Sequence, residues 1–290
     1  MKSIKWDKLR ILVTNRCNYR CPFCHNEGQE KGDSTVMMSV ESCKQLIDYL
    51  DGQELSEINF SGGEPFLHKD IVDMIVYAND HMECDISCAT NLSLITDDQI
   101  AFLKKTRVKF NIQFPFISEN GFAISTGTGK LSKIIDRINA VKSAGIKIGL
   151  NTVIQSVNND NVEQMVMFAL KNELPLKLLP QIGLEGSDLF IDSIQPILEK
   201  YAIKFVNKGT GALRWTIKNE SHQTPVLYID SPCFSQDIKA CRNYGEIRIH
   251  PDLMLQYCIM KDAKERVCLE KGKEFVIEQF ERLWNDFNHC

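Results

Sequence analysis

The chain has 290 residues, 43% of them hydrophobic, and a formal net charge of −4, with a pI near 5.9. That length holds one large α/β domain or two smaller ones around an ample core, and that charge supplies no basic field, so neither nucleic acid nor an anionic membrane is an expected partner. With no run near the ~18 apolar residues of a membrane span and no apolar leader in Met1 to Lys8, the expected location is the cytoplasm, where the eleven cysteines read as metal ligands and core thiols rather than disulfides.

From residue 9 to 180, short apolar or β-branched runs alternate with stretches of helical period, the pattern of βα units around a parallel sheet. Six strands are expected: Leu9 to Thr14, Glu57 to Phe60, Cys84 to Ala89, Val108 to Gln113, Lys147 to Ile154 and Pro175 to Pro180. Helices are expected at 39–51, 69–80, 97–105, 129–144 and 160–172. Thr96 with Gln99 reads as a capping box for the third helix, and Asp160 with Glu163 as the start of the fifth. Leu131, Ile134, Ile135, Ile138 and Val141 form the buried stripe of the fourth, which Gly145 stops. After Pro180 the alternation is expected to end. A helix at 190–203, short strands at 213–218 and 226–230, and an amphipathic helix at 272–287, read as a lid on the rest, complete the chain. The expected division is a first domain of residues 1–185 and an extension of 186–290.

Between the first strand and the first helix lies Cys17-Asn18-Tyr19-Arg20-Cys21-Pro22-Phe23-Cys24. Three thiolates are one fewer than a [4Fe–4S] cluster normally takes, and an iron without a protein ligand can bind a small molecule. A zinc site completed by His25 is the alternative. The second strand runs into Ser61-Gly62-Gly63-Glu64-Pro65, where adjacent glycines can adopt positive φ and admit a ligand to the backbone, and Pro65 fixes the departure of the next segment.

The triplet, with an aromatic residue before its last cysteine, and the Gly-Gly-Glu-Pro turn at the end of the next strand resemble the radical S-adenosylmethionine (SAM) superfamily. The resemblance implies an α/β fold, a partial (β/α)6 TIM-like barrel closed by a C-terminal extension. It implies a [4Fe–4S] cluster on Cys17, Cys21 and Cys24 whose open iron chelates SAM, fed by an external one-electron reductant. It assigns Gly62, Gly63 and Glu64 to SAM; Ala89-Thr90-Asn91-Leu92 resembles the family's Thr-Asn-Gly segment, with Leu92 where glycine is usual. Asn111 and Gln113 fall where the family places polar groups towards the ribose or carboxylate of SAM, although backbone or water can satisfy such residues equally. Gly129 to Asn151, Thr152-Val153-Ile154 and Asn158-Asn159-Asp160 look like the branch containing the molybdenum-cofactor GTP 3′,8-cyclase (MoaA) and the SPASM and twitch peptide-modifying enzymes.

The extension of that branch implies a second, auxiliary [4Fe–4S] cluster. Cys241 and Cys258 match its first and third cysteines and Tyr244 stands at the second; Cys233, from a preceding loop, is expected to supply the absent thiolate and Cys268 to close the site as a fourth. Buried free thiols are the alternative. The cyclase's nucleotide-binding cations are not matched: Glu246 accompanies Arg248, Asn59 precedes the glycine turn, His68 follows it, and the chain ends Asn288-His289-Cys290 without a glycine pair. A triphosphate needs several cations, so the expectation is reductive cleavage of SAM and hydrogen abstraction from a peptide or small precursor, for C–C or C–X bond formation or oxidation. Rearrangement of a nucleotide, and a non-catalytic iron–sulfur sensor, are the alternatives.

Overall fold

The computed structural model describes residues 6–24, 35–156, 159–209 and 211–288. His25, Asn158, His289, Cys290 and the side chain of Asp160 lie outside the described residues. The chain forms β1 (Lys8–Leu12), α1 (Val40–Leu50), β2 (Glu57–Ser61), α2 (Ile71–His81), β3 (Asp85–Thr90), α3 (Asp97–Leu103), β4 (Lys109–Gln113), α4 (Glu119–Thr126), α5 (Leu131–Ser143), β5 (Lys147–Ile154), α6 (Asn159–Lys171) and β6 (Leu176–Pro180). It continues through α7 (Phe190–Glu199), β7 (Ala202–Asn207), β8 (Ala212–Lys218), β9 (Gln223–Ile229), α8 (Pro232–Ser235), α9 (Ile238–Arg242), β10 (Glu246–Ile249), β11 (Met254–Gln256), β12 (Glu265–Arg266) and α10 (Lys273–Asp286). Among the described residues, no helix is long and apolar enough to cross a membrane.

All twelve strands join one open sheet in the order β12-β11-β10-β1-β2-β3-β4-β5-β6-β9-β8-β7. The six expected strands lie side by side and parallel in chain order. Two more, β10 beside β1 and β9 beside β6, are also parallel. The alternation therefore does not stop at Pro180, because β6, α7 and β9 make a further crossover. The helix expected to reach 203 ends at Glu199, and the β-branched and aromatic run Ile203 to Val206 becomes the outer strand β7. Thr96 and Gln99 form the expected capping box, and Gly145 follows α5 with φ +82°. α10 packs against α1, where Tyr49 donates its hydroxyl to Leu269 O at 3.1 Å.

Strand sequences explain what the sheet encloses. Leu9 and Ile11, Ile58 and Phe60, Phe110 and Ile112, Leu176 and Leu178, and Ile247 and Ile249 are buried in the core. Their alternates, Lys8 and Arg10, Glu57 and Asn59, Asn111, Lys177 and Leu179, and Glu246 and Arg248, line a central cavity. Period-two alternation thus separates an apolar outer face, covered by helices, from a polar inner face.

Candidate active site

The cysteine loop begins after the C-terminal end of β1, the end at which α/β barrels carry their ligands. Three neighbours fix it. From β2, the Gly63 and Glu64 amides donate to Thr14 O and Arg16 O at 2.8 and 2.7 Å. From β3, Asn91 Nδ2 donates to Asn18 Oδ1 at 2.8 Å, and Asn18 Nδ2 donates to Ser93 Oγ at 2.8 Å. From α4, which sequence periodicity missed, Thr126 O accepts the Arg20 amide at 2.8 Å and Phe122 meets the Tyr19 ring edge-on. Ser118 as N-cap and Gly127 in the left-handed region at the C-cap are the signals that mark α4 in the sequence.

Cys17, Cys21 and Cys24 line one pocket with Gly62, Gly63, Glu64, Thr90, Asn91, Asn111 and Gln113, so every residue expected at the first cluster and SAM is brought together. Burial pushes the Cys17 thiol up to about 11 and the Cys21 thiol up to about 12, in each case with help from the neighbouring thiols. The Cys17 sulfur accepts the Tyr19 amide at 3.3 Å and faces Asn91 Nδ2 at 3.9 Å. N–H donors aimed at sulfur suit a thiolate bound to iron, so these residues fit a cluster. Among the described residues, no three His, Cys, Asp or Glu side chains are grouped to hold a metal ion.

Glu64 holds protein rather than facing the pocket alone. Its carboxylate accepts Thr90 Oγ1 at 2.6 Å, Asn91 N at 2.7 Å and Phe66 N at 3.1 Å, which locks the glycine turn to the end of β3. Leu92, at the family's glycine position, takes φ +63° and is fully buried. Strain of about 1–2 kcal/mol in that conformation is outweighed by the roughly 2–5 kcal/mol that a buried leucine contributes. Leu92→Gly is therefore expected to destabilise the protein by about 2 kcal/mol, read as a lower urea midpoint; a higher midpoint would show that strain dominates.

The pocket continues without a break into a second lobe, since Arg10, Asn111, Asn151, Lys177 and Arg248 line both, and each lobe measures about 370 Å³. The second lobe reaches the opposite end of the strands, where Cys233, Cys241, Cys258 and Tyr244 form its wall. Cys241 hydrogen-bonds Cys233 and, with Ser231 and Arg248, holds that thiol well below the usual range despite burial. Cys268 is not part of this group: its amide donates to Gln279 Oε1 at 3.0 Å and its thiol faces Arg266 O at 3.7 Å.

Sequence motifs missed the charged inner face. Glu246 accepts both Arg10 nitrogens at 3.1 and 3.0 Å and Arg248 Nε at 3.1 Å. Burial raises its carboxyl, but the two guanidinium groups prevail and hold it at about 2. Lys177 makes no hydrogen bond or ion pair among the described residues, and its ammonium is pushed down by burial first, then by Lys109 and Arg10. Lys8, Arg10, Lys177 and Arg248 against Glu57 and Glu246 leave the wall of the cavity cationic. Arg10 and Lys177 thus add to Arg248 two cations that the motif positions do not contain, with both guanidinium groups shared with Glu246.

Lys177→Met is expected to stabilise the protein by about 1 kcal/mol, since it removes a desolvated charge. The folded protein binds fewer protons here than the unfolded chain, so stability should rise with pH as the window up to 10.5 is crossed. Thermal melts at two pH values should show that slope reduced in the variant; an unchanged slope would mean Lys177 titrates normally.

A curved, open parallel sheet with three cysteines beside a glycine turn at its C-terminal mouth defines a class, and sequence comparison agrees: the radical SAM superfamily model matches residues 11–169. The chain belongs to that superfamily and is a radical SAM enzyme, of a family that works with a [4Fe–4S] cluster and SAM. It is 28% identical over 260 residues to a protein of Methanocella arvoryzae named probable GTP 3′,8-cyclase, covering 88% of this chain and 81% of that one. It is 27% identical over 273 residues to the GTP 3′,8-cyclase of Clostridium botulinum, covering 90% and 83%. Among solved structures, SuiB of Streptococcus suis bound to S-adenosylmethionine matches with a TM-score of 0.74 and 13% identity, over 97% of this chain and 67% of that one. Native anSMEcpe with bound AdoMet matches at 0.69 and 13%, over 97% and 82%. At that identity the structural likeness concerns the fold alone.

Proposed function

We propose that the chain cleaves SAM reductively and abstracts hydrogen from a small anionic substrate held inside the barrel, between a first cluster on Cys17, Cys21 and Cys24 and an auxiliary cluster on Cys233, Cys241 and Cys258. The observation that carries this reading is the single cavity walled by both cysteine groups and lined by more cations than carboxylates. Its volume is in the range of small-molecule sites. The named activity of the two sequence relatives makes a nucleotide the leading candidate for the substrate. A peptide, the first expectation from sequence, is the competing class; SuiB bound to its precursor peptide shares the fold.

When bound, the first cluster and SAM supply one-electron cleavage to methionine and a 5′-deoxyadenosyl radical, with the electron coming from an external reductant. The chain's own contribution is placement. The Tyr19 amide and Asn91 Nδ2 donate towards the Cys17 sulfur; Gly62 and Gly63, whose missing side chains leave room for the Thr14 and Arg16 backbone, set the turn against the pocket that would take the methionyl end of SAM, and Thr90, Asn111 and Gln113 stand on the same wall. Gln113 Nε2 is buried without a partner, a donor that suits a bound carboxylate or ribose oxygen. Arg10, Lys177 and Arg248 orient the anionic group of the substrate, and the enclosing wall keeps water and quenching groups from the radical.

The test is deoxyadenosine formation by anaerobically reconstituted protein with SAM and dithionite, with and without GTP or other nucleoside triphosphates. Deoxyadenosine that Cys21→Ala abolishes, and that a nucleotide stimulates over background, supports the reading; stimulation by a peptide alone would assign the other class. Iron and sulfide counts should fall in Cys233→Ala, Cys241→Ala and Cys258→Ala but not in Cys268→Ala. Unchanged iron in the first three removes the auxiliary cluster.

A further inference from the structure

Tyr244 stands three residues after Cys241, where the resemblance leads to the expectation of a cysteine, and it carries a polar group instead. Its amide closes a turn onto Cys241 O at 3.1 Å, so the ring is carried beside that cysteine. The phenol oxygen is buried and has no hydrogen-bond partner among the described residues. Leaving such a group unpaired is destabilising, and phenylalanine of the same shape would avoid that loss. The groups facing it are the Cys233 and Cys241 thiols and the Asp230 carboxylate. Every one is an acceptor or becomes one on ionisation, and none lies within hydrogen-bond distance of the phenol.

We propose, building on the auxiliary-cluster reading, that the Tyr244 hydroxyl donates a hydrogen bond to a sulfur of the auxiliary cluster and raises its reduction potential. A cluster on Cys233, Cys241 and Cys258 would bring electron-rich sulfur to a donor that is unsatisfied among the described residues. Hydrogen bonds to sulfur offset the negative charge that reduction adds, and they are among the main determinants of cluster potential. Tyr244 is then a tuning residue rather than a ligand: its oxygen leaves the fourth iron without a protein ligand and adjusts how readily the centre accepts an electron. Gly211, at φ +73°, lies beside the hydroxyl: a Cβ there would stand 2.3 Å from Asp230 O and 3.3 Å from the phenol oxygen.

The experiment compares the reconstituted full chain with Tyr244→Phe by iron and sulfide counting and by a potentiometric titration followed by electron paramagnetic resonance. Cys21→Ala and Cys258→Ala assign each signal to its centre. The expected result is unchanged iron, a shift of the auxiliary centre to more negative potential, and no shift of the first centre, which serves as the control for folding. An unmoved auxiliary potential overturns the proposal. Loss of iron or a three-iron signal in Tyr244→Phe overturns it differently, by making the oxygen a ligand. Wild-type protein with only one cluster's iron, unaffected by Cys258→Ala, is a failure of the auxiliary-cluster reading itself and is visible before any variant of Tyr244 is compared.

Discussion

Gly63→Ala is expected to abolish SAM cleavage and to lower stability by about 3 kcal/mol, the combined effect of overpacking and of two weakened backbone hydrogen bonds. A Cβ at this position runs into the carbonyl of Arg16 and the amide nitrogen of Cys17. Both are backbone atoms, which cannot swing aside as the end of a lysine can. The same carbonyl accepts the Glu64 amide at 2.7 Å, and Gly63 itself donates to Thr14 O at 2.8 Å. Relief of the clash therefore moves the glycine turn away from the cysteine loop. A displacement of about 1 Å in reacting groups can reduce a rate ~10²-fold, and here the two displaced parts are those proposed to hold the cluster and SAM. Thermal denaturation and deoxyadenosine yield on the same preparation decide the matter; wild-type values for both would show that the loop and turn are not rigidly joined.

Glu64→Gln should have nearly as large an effect and a distinct pH signature. One carboxylate oxygen takes Thr90 Oγ1 and Phe66 N, the other takes Asn91 N. Whichever way the amide is turned, its NH2 meets a backbone N–H, so at least one buried donor is left unsatisfied, with a loss of about 2–3 kcal/mol. Burial pushes the wild-type carboxyl up to about 7 against its three donors, from an ordinary value of 4.5. The folded state then holds a proton that the unfolded state has released, and stability falls as pH rises from 4.5 through 7. Denaturation at several pH values should show this decline in the wild type and its absence in Glu64→Gln. Parallel profiles would mean that Glu64 stays ionised throughout.

The parallel strands were legible because each carries an apolar residue at every second position, and the helices between them carry uninterrupted stripes. α4 escaped because Glu119–Thr126 is short, contains Gly121, and buries only Phe122, Ser125 and Thr126. β7 escaped because its side chains face solvent at the sheet edge, which leaves no burial pattern to read. At the site, the cysteine triplet and the two turns announced themselves as contiguous motifs. The inner face did not, since Arg10, Lys177 and Arg248 are scattered over the chain and meet only when strands pair; Arg10 lies opposite Arg248, and Lys177 opposite Asn151. The signal was present all the same, as charged or amide residues alternating with Leu, Ile and Phe inside strands where both faces should be apolar in a fully packed sheet. Cys268 is the converse case, a cysteine near in sequence that does not line the cavity. Nearness in sequence suggested a ligand, but β11 and β12 pair antiparallel, and the turn after Val267 carries the thiol away from the cavity.

The pairing of β1 with β10 bears on biosynthesis. Arg10 and Glu246 are separated by 236 positions in the chain, and a ribosome adds roughly 5–20 residues per second. For the many seconds between emergence of the two strands, a nascent polypeptide must keep β1 with a bare edge and an unneutralised guanidinium. Iron delivered during that interval would meet the Cys17, Cys21 and Cys24 loop while the strand before it still lacked its outer neighbour, so insertion of the metal is best timed after β10 has paired with β1.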